Sequence, residues 1–195
     1  MGFLKENLKK INIDISTHQK EQFDIYSQFL IETNKKFNLT AIKDKEGIEL
    51  FHFLDCAKII PYIMNNTNTS SNTFGNLQLI DIGTGAGFPG MVIKILFPEM
   101  RITLLDSLAK RVNFLKETAK LLGLENIYCI HGRAEDYAHD NLYRERFDIS
   151  IARAVAPQQV LGEYCLPFVR CGGFFVSMKS KHEEEIRSSD SAIKI

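Results

Sequence analysis

The spacing of apolar residues changes character about a third of the way along the chain. Over 16–37, Phe23, Tyr26, Leu30 and Phe37 recur on one helical stripe, and Ser16 with Gln19 three positions later forms a capping box at its start. This predicts a long helix whose stripe belongs to the core. A second helix is predicted over 45–60 and ended by Pro61, with His52 and Asp55 at i, i+3 on one face, close enough to hydrogen-bond. The stretch 65–76 is almost wholly Asn, Thr and Ser, so it has little to bury and reads as a loop. From 77 onward short apolar runs at 77–82, 101–105, 126–130, 147–151 and 172–178 predict strands. Helical patterns lie between them at 89–97, 108–122 and 157–168, with Pro98 and Gly123 as stop signals for the first two. The expected organisation is a helical section over 1–64, a polar loop over 65–76 and a second domain over 77–195.

Repeated strand–helix units with right-handed crossovers give an α/β fold, a doubly wound, mostly parallel, Rossmann-like sheet with helices on both faces. Ligands in such sheets sit beyond the carboxyl ends of the strands, near the point where strand order reverses. Asp81, Asp106, Glu135 and Arg153 each follow a predicted strand, so they are expected to converge on one crevice. Beyond Lys181 too few residues remain for the two further strands that would close a seven-stranded sheet, and the expectation is a C-terminally shortened domain.

The corner after the first strand carries the chemistry. Asp81 is followed by Gly83, Gly85 and Gly87 at every second position, then by Pro89 and a helical pattern. Glycines there allow positive φ and a close approach of ligand to backbone; Pro89 suits a first helical turn. Two patterns fit. Gly85-x-Gly87-x-x-Gly90 matches a dinucleotide-binding loop, with Asp106 about 20 residues on to hold a ribose. Asp81-x-Gly83-x-Gly85-x-Gly87 matches the loop of S-adenosylmethionine-dependent methyltransferases. Asp106 serves either adenosine compound, whereas Asp81 separates them: a carboxylate at the strand end favours an ammonium group and repels a pyrophosphate.

Composition narrows the partners. The 195 residues are 45% hydrophobic, and 24 Lys and Arg balance 24 Asp and Glu, so no bulk charge announces a polyanionic partner and any basic surface is local. Cys56, Cys129, Cys165 and Cys171 are scattered without a C-x-x-C pair, which reads as reduced thiols in a cytoplasmic protein. The first residues have no signal-peptide pattern and no apolar run reaches the length of a membrane span. His and Cys spacing implies no metal.

Taken in order, the motifs resemble the bacterial small-subunit ribosomal RNA methyltransferase G family, also called glucose-inhibited division protein B. The likeness runs from Asn38-Leu39-Thr40 through His52-x-x-Asp55, the glycine loop Asp81 to Pro89, and Leu105-Asp106-Ser107-Leu108-x-Lys110-Arg111-x-x-Phe114-Leu115. It continues through Gly132-Arg133-Ala134-Glu135 and Ala152-Arg153-Ala154-Val155-Ala156 to Lys179. The resemblance implies a class I fold that transfers a methyl group from S-adenosylmethionine to N7 of a guanine in small-subunit (16S) ribosomal RNA. It maps cofactor contacts onto Gly83, Phe88, Ala134, Glu135 and Arg153, to which the loop reading adds Asp81, Gly85, Gly87 and Asp106. In this picture Asp106 accepts from ribose hydroxyls, Ala134 and Glu135 meet the adenine edge, and Phe88 shields the methionine arm or the target base. Arg153 is the candidate catalytic residue nearest the reacting pair, with a structural ion pair to Asp81 or Glu135 as its alternative. His52 and Asp55 are expected as a helix-surface pair at the crevice mouth.

Guanine N7 has a lone pair and no proton, so no general base is required and positioning carries the catalysis. The place after the fourth strand holds Ala152-Arg153-Ala154-Val155 instead of the Asn/Asp-Pro-Pro-aromatic motif usual for exocyclic adenine nitrogen, and no Cys follows a Pro as cytosine C5 chemistry requires. Candidate phosphate contacts include Lys35, Lys36, Arg101, Lys110, Arg111, Lys116, Arg144, Arg146, Lys179 and Lys181. A neutral protein has little nonspecific grip on naked RNA, so a small subunit or an assembly intermediate is the expected partner of a monomer, with the target base leaving its stack. An NAD-dependent oxidoreductase and a shortened form that binds cofactor or RNA without turnover remain the alternatives.

Overall fold

A computed structural model of the chain describes residues 2–67, 75–153 and 158–178. After a short helix α1 (Phe3–Lys10), the long helix α2 spans Thr17–Phe37. Ser16 Oγ accepts from the Gln19 amide at 3.1 Å while Gln19 Oε1 accepts from the Ser16 amide at 2.9 Å, so the capping box is complete. Phe23, Tyr26 and Leu30 are buried as the stripe predicts. Phe37 departs from it: it is the last helical residue, before Asn38 turns the chain at φ 49°, and is 44% exposed.

The expected helix over 45–60 is broken into pieces. It comprises α3 (Lys45–Ile48), a π-helical segment (Glu49–Leu54) and α4 (Asp55–Ala57). A turn precedes α5 (Ile60–Thr67), so Pro61 lies in the first turn of a new helix, where its missing N–H costs nothing, and ends none. Helix α5 carries residues 65–67 of the expected loop, and 68–74 lie outside the described residues.

The strands are β1 (Gln78–Ile82), β2 (Arg101–Asp106), β3 (Ile127–His131), β4 (Phe147–Arg153) and β5 (Val169–Met178), in spatial order β3-β2-β1-β4-β5 and all parallel. Consecutive strands step outward from β1 to β3, then the chain crosses back to place β4 on the other side of β1, which fixes the switch point between β1 and β4. Helices α6 (Gly90–Leu96), α7 (Ala109–Leu121), α8 (Ala134–Tyr137) and α9 (Gln158–Cys165) connect them. Pro89 stands just before α6, and the segment read as one helix to 168 ends in a 3-10 turn at Leu166–Phe168. Pro157 lies outside the described residues, as do Lys179 and everything after it.

Period-two alternation sorts the strands between two cores. Leu79, Ile102 and Leu104 meet α6, α7 and α2 on one face, while Ile80, Ile82 and Leu105 meet Ala134, Leu161 and Phe168 on the other. Helix α2 is also fastened by hydrogen bonds at helix ends. Gln19 Nε2 donates to the carbonyls of Ile95 and Leu96 at 2.8 and 3.0 Å, and Gln22 Nε2 donates to Leu122 O at 2.8 Å. These are the unpaired terminal carbonyls of α6 and α7, so the first long helix braces the two helices that follow β1 and β2.

Candidate active site

The loop leaving β1 is held from below by two carboxylates. Gly83, Gly85 and Gly87 all have positive φ (65°, 62° and 101°). Asp81, at the end of β1 and fully buried, accepts from Thr84 Oγ1 at 2.6 Å and from the Gly90 amide at 2.8 Å, both on Oδ2. Its Oδ1 is buried with no hydrogen-bond partner. Burial outweighs those bonds and lifts the Asp81 pKa to about 7. Asp106, at the end of β2, accepts from the Gly85 amide and the Leu108 amide, each at 2.9 Å, with Arg111 Nη1 at 3.5 Å.

Two glycines of the loop face different surroundings. A Cβ on Gly87 would come within 2.8 Å of Tyr26 Oη and 2.9 Å of Met91 Cβ, so α2 packs directly on the loop. Tyr26 also donates its hydroxyl to Ala86 O at 2.5 Å. A Cβ on Gly85 would meet nothing nearer than Gly83 O at 4.0 Å. Gly85 therefore turns a bare backbone toward open space directly above Asp106, where a ligand can approach.

The far end of the loop is a cluster of rings and charges. Phe88 is 5% exposed, covered by Tyr26 (5.7 Å between centroids), Phe53 (6.2 Å) and His52, which stacks on it at 4.3 Å and 24°. The Arg153 guanidinium carbon lies 5.0 Å from the Phe88 centroid. Arg153 Nη1 donates to Phe51 O at 3.4 Å and lies 3.6 Å from Asp55 Oδ2, and Nη2 donates to His52 Nδ1 at 3.1 Å. His52 and Asp55 thus both engage Arg153, and each other by no direct hydrogen bond; Arg153 pairs with Asp55 and not with Asp81 or Glu135. Burial, and after it the Arg153 charge, lowers the His52 pKa to about 4.

The remaining expected contacts lie apart from this cluster. Ala134 is buried in the second core, and Glu135 stands at the rim, paired with Arg133 at 3.0 Å, which holds its pKa below the usual range. Of the residues expected in one crevice, Asp81 and Asp106 hold one loop and Arg153 sits at that loop's far end, while Glu135 follows Gly132, whose amide donates to Asp106 O at 3.1 Å. Of the candidate phosphate contacts, Arg111 is engaged by Asp106 and Arg144 by Glu145. Residues missed in sequence are Tyr26, which reads as one more member of the apolar stripe, and Thr40, whose Oγ1 lies 2.7 Å from His52 Nε2. A buried tyrosine's need for a hydroxyl partner was the available signal for Tyr26.

The donor set fits S-adenosylmethionine. A buried acid with an unanswered oxygen at the end of β1 suits a cationic ligand, and the bare Gly85 backbone beside Asp106 suits a ribose. No group of three or more His, Cys, Asp or Glu among the described residues could hold a metal, and no helix among them is long and apolar enough to cross a membrane.

Comparison with solved structures agrees with the fold. A SAM-dependent methyltransferase from Aquifex aeolicus aligns at TM-score 0.50 and 17% identity, covering 80% of this chain and 79% of that one. The precorrin-6y C5,15-methyltransferase of Geobacter metallireducens aligns at TM-score 0.50 and 13% identity, covering 69% and 68%. Sequence relatives are much nearer. The ribosomal RNA small subunit methyltransferase G of Acetivibrio thermocellus is 47% identical over 192 residues, covering 98% of this chain and 76% of that protein. The protein of the same name from Clostridium botulinum strain 657 is 47% identical over 196 residues, covering 100% and 78%. The family description "rRNA small subunit methyltransferase G" matches residues 19–195. These matches leave the dinucleotide-oxidoreductase alternative without support: the chain belongs to the rRNA small subunit methyltransferase G family.

Proposed function

We propose that this chain transfers a methyl group from S-adenosylmethionine to N7 of a guanine in small-subunit ribosomal RNA, in the cytoplasm, acting on the subunit or an assembly intermediate. The observation that carries the reading is the pair of carboxylates under one glycine loop, joined to membership of the family. When bound, the cofactor supplies a sulfonium methyl electrophilic enough to need no further activation.

The chain's own residues then have to bind and align. Gly85 admits the ribose to the backbone, Asp106 offers its carboxylate there, and Asp81 contributes negative charge toward the ammonium through the loop that it anchors. Gly83 and Gly87 set the loop's path, and Ala134 and Glu135 border the adenine side. Phe88 supports Arg153 from beneath, and Arg153 stands nearest the target base. The imidazole beside Arg153 is not poised to remove a proton. His52 is engaged on both ring nitrogens and stays neutral far below pH 7, which suits a nucleophile that arrives with a free lone pair.

Incubation with methyl-labelled cofactor and small subunits that have never been modified tests this directly. Label is expected in a 7-methylguanosine of the small-subunit RNA. Label at another atom would reject the N7 assignment, and no label, with a full-length relative active in parallel, would favour the non-catalytic binding form.

A further inference from the structure

We infer that His52, fixed by Thr40, is a positioning residue that holds the Arg153 guanidinium against Phe88 at the methyl-transfer site. This rests on the proposed methyl transfer and names the device that sets its geometry. A guanidinium has donors only, so the 3.1 Å contact requires His52 Nδ1 to be the lone-pair nitrogen. The ring proton is then on Nε2 and is donated to Thr40 Oγ1 at 2.7 Å. Thr40 is itself held at both main-chain atoms by the buried Asn34 of α2: Asn34 Nδ2 donates to Thr40 O at 2.8 Å, and the Thr40 amide donates to Asn34 Oδ1 at 2.9 Å. A continuous path therefore runs from the long helix through Asn34, Thr40 and His52 to Arg153.

The backbone around His52 supports the same reading. His52 lies in the π-helical segment Glu49–Leu54, an arrangement frequent at functional sites. One turn delivers three acceptors to one cation: Phe51 O, His52 Nδ1 and Asp55 Oδ2. Two of the five guanidinium donors are in hydrogen bonds, Asp55 is an ion-pair partner at 3.6 Å, and among the described residues the Nε–H and the second Nη2–H have no protein acceptor. Arg153 is thus clamped along one side with donors left for an acceptor oxygen of cofactor or substrate.

Paired substitutions at one position test this. His52→Asn keeps an acceptor oxygen where Nδ1 stands, His52→Gln keeps only the more distant amide, and His52→Leu keeps neither. Methylation of unmodified small subunits is expected to retain kcat within about threefold for H52N and to lose about tenfold or more for H52Q and H52L. H52L combined with R153A should be no slower than R153A alone, because both remove one device. Nitrogen-15 spectra of the histidine ring at pH 7 should show the Nε2–H tautomer, with the Nδ1 signal moving in R153A. Equal losses in H52N and H52Q, wild-type kcat in H52L, or an Nδ1–H tautomer would each overturn the proposal. Should H52L not fold, T40V removes the acceptor for Nε2–H and is expected to slow turnover several-fold; wild-type kcat in T40V would count against it. Absence of methylation by the wild type refutes the functional reading instead, and the ring spectra still decide the tautomer.

Discussion

The two ends of the glycine loop are held by different kinds of bond. At the tips of β1 and β2, the buried carboxylates of Asp81 and Asp106 accept from the backbone amides of Gly90 and Gly85, so what is fixed is the path of the main chain. At the Phe88 end, the contacts are among side chains: an imidazole stacked on a phenyl ring, a guanidinium against it, and a carboxylate at the edge. A backbone cradle gives a cofactor a shape to meet and tolerates little change, because every alteration reaches the main chain. A side-chain cluster can be altered one group at a time, which suits the end where the substrate is proposed to be aligned. If this contrast is right, damage to the first end should abolish binding, and damage to the second should slow turnover with the cofactor still bound.

The largest effect is expected at Gly85. Its φ of 62° disfavours any β-branched residue, and the open space above it is the proposed entry of the cofactor. Gly85→Val should weaken S-adenosylhomocysteine binding by more than about 100-fold, or about 2.7 kcal/mol, in calorimetric titration. The fold should survive, because a Cβ there meets only Gly83 O at 4.0 Å. A variant that binds normally would mean that the cofactor does not enter over this loop.

Asp106→Ala comes next. It leaves the amides of Gly85 and Leu108 without their acceptor and takes away the proposed ribose contact. Cofactor affinity should fall by about 1–3 kcal/mol. Because the carboxylate is already engaged by two amides, Asp106→Asn, which keeps one acceptor oxygen, should lose less than Ala. Equal losses would make the charge, and not the hydrogen bonds, its contribution.

Asp81 makes the backbone end sensitive to pH. The folded chain holds its proton to about pH 7 whereas the unfolded chain releases it near 3.8, so between those values the folded state carries more protons. Stability without ligand should therefore fall as pH rises through that window. Affinity for a cationic cofactor should move the other way, rising about fivefold from pH 6 to pH 7 as the carboxylate ionises, with a proton released on binding. Titrations in buffers of different ionisation enthalpy measure that proton, and Asp81→Asn should flatten both dependences. A flat affinity profile in the wild type would place the ammonium out of Asp81's reach.

How much of this was legible in sequence follows from the range of the interactions. The sheet, its strand positions and the loop acids were readable because alternation, glycine spacing and a strand-end carboxylate are local signals. The capping box at Ser16 and Gln19 was readable for the same reason, but the second use of Gln19, its bonds to Ile95 and Leu96, spans 76 and 77 residues and leaves no local trace. The π-helical turn was hidden because hydrophobic spacing over 45–60 fits a continuous helix, and Arg153, which its residues contact, lies 101 positions from His52. The ion pair held open as the alternative role of Arg153 has another partner for the same reason: strand-end logic points to Asp81 or Glu135, whereas Asp55 comes from the helical section. Glu135 makes its ion pair with Arg133, two positions away, a local contact that strand-end logic does not reveal.

The smallest predicted effect tests whether α2 is brace or cradle. Tyr26 hydrogen-bonds the loop through its hydroxyl on Ala86 O, and its ring is packed between Phe53 and the loop's own Phe88. Tyr26→Phe keeps the ring and removes one buried hydrogen bond, worth about 1 kcal/mol, with a fall in Tm of about 2–4 °C for a chain of this size. Since the Gly85 amide is held by Asp106 independently of that hydroxyl, cofactor affinity should change by less than about threefold. A stability loss with affinity intact would leave the long helix as a support for a loop whose binding geometry is set by the sheet. An affinity loss approaching that of Gly85→Val would make the N-terminal helix part of the binding surface, and the two ends of the loop would then differ less than their bonding implies.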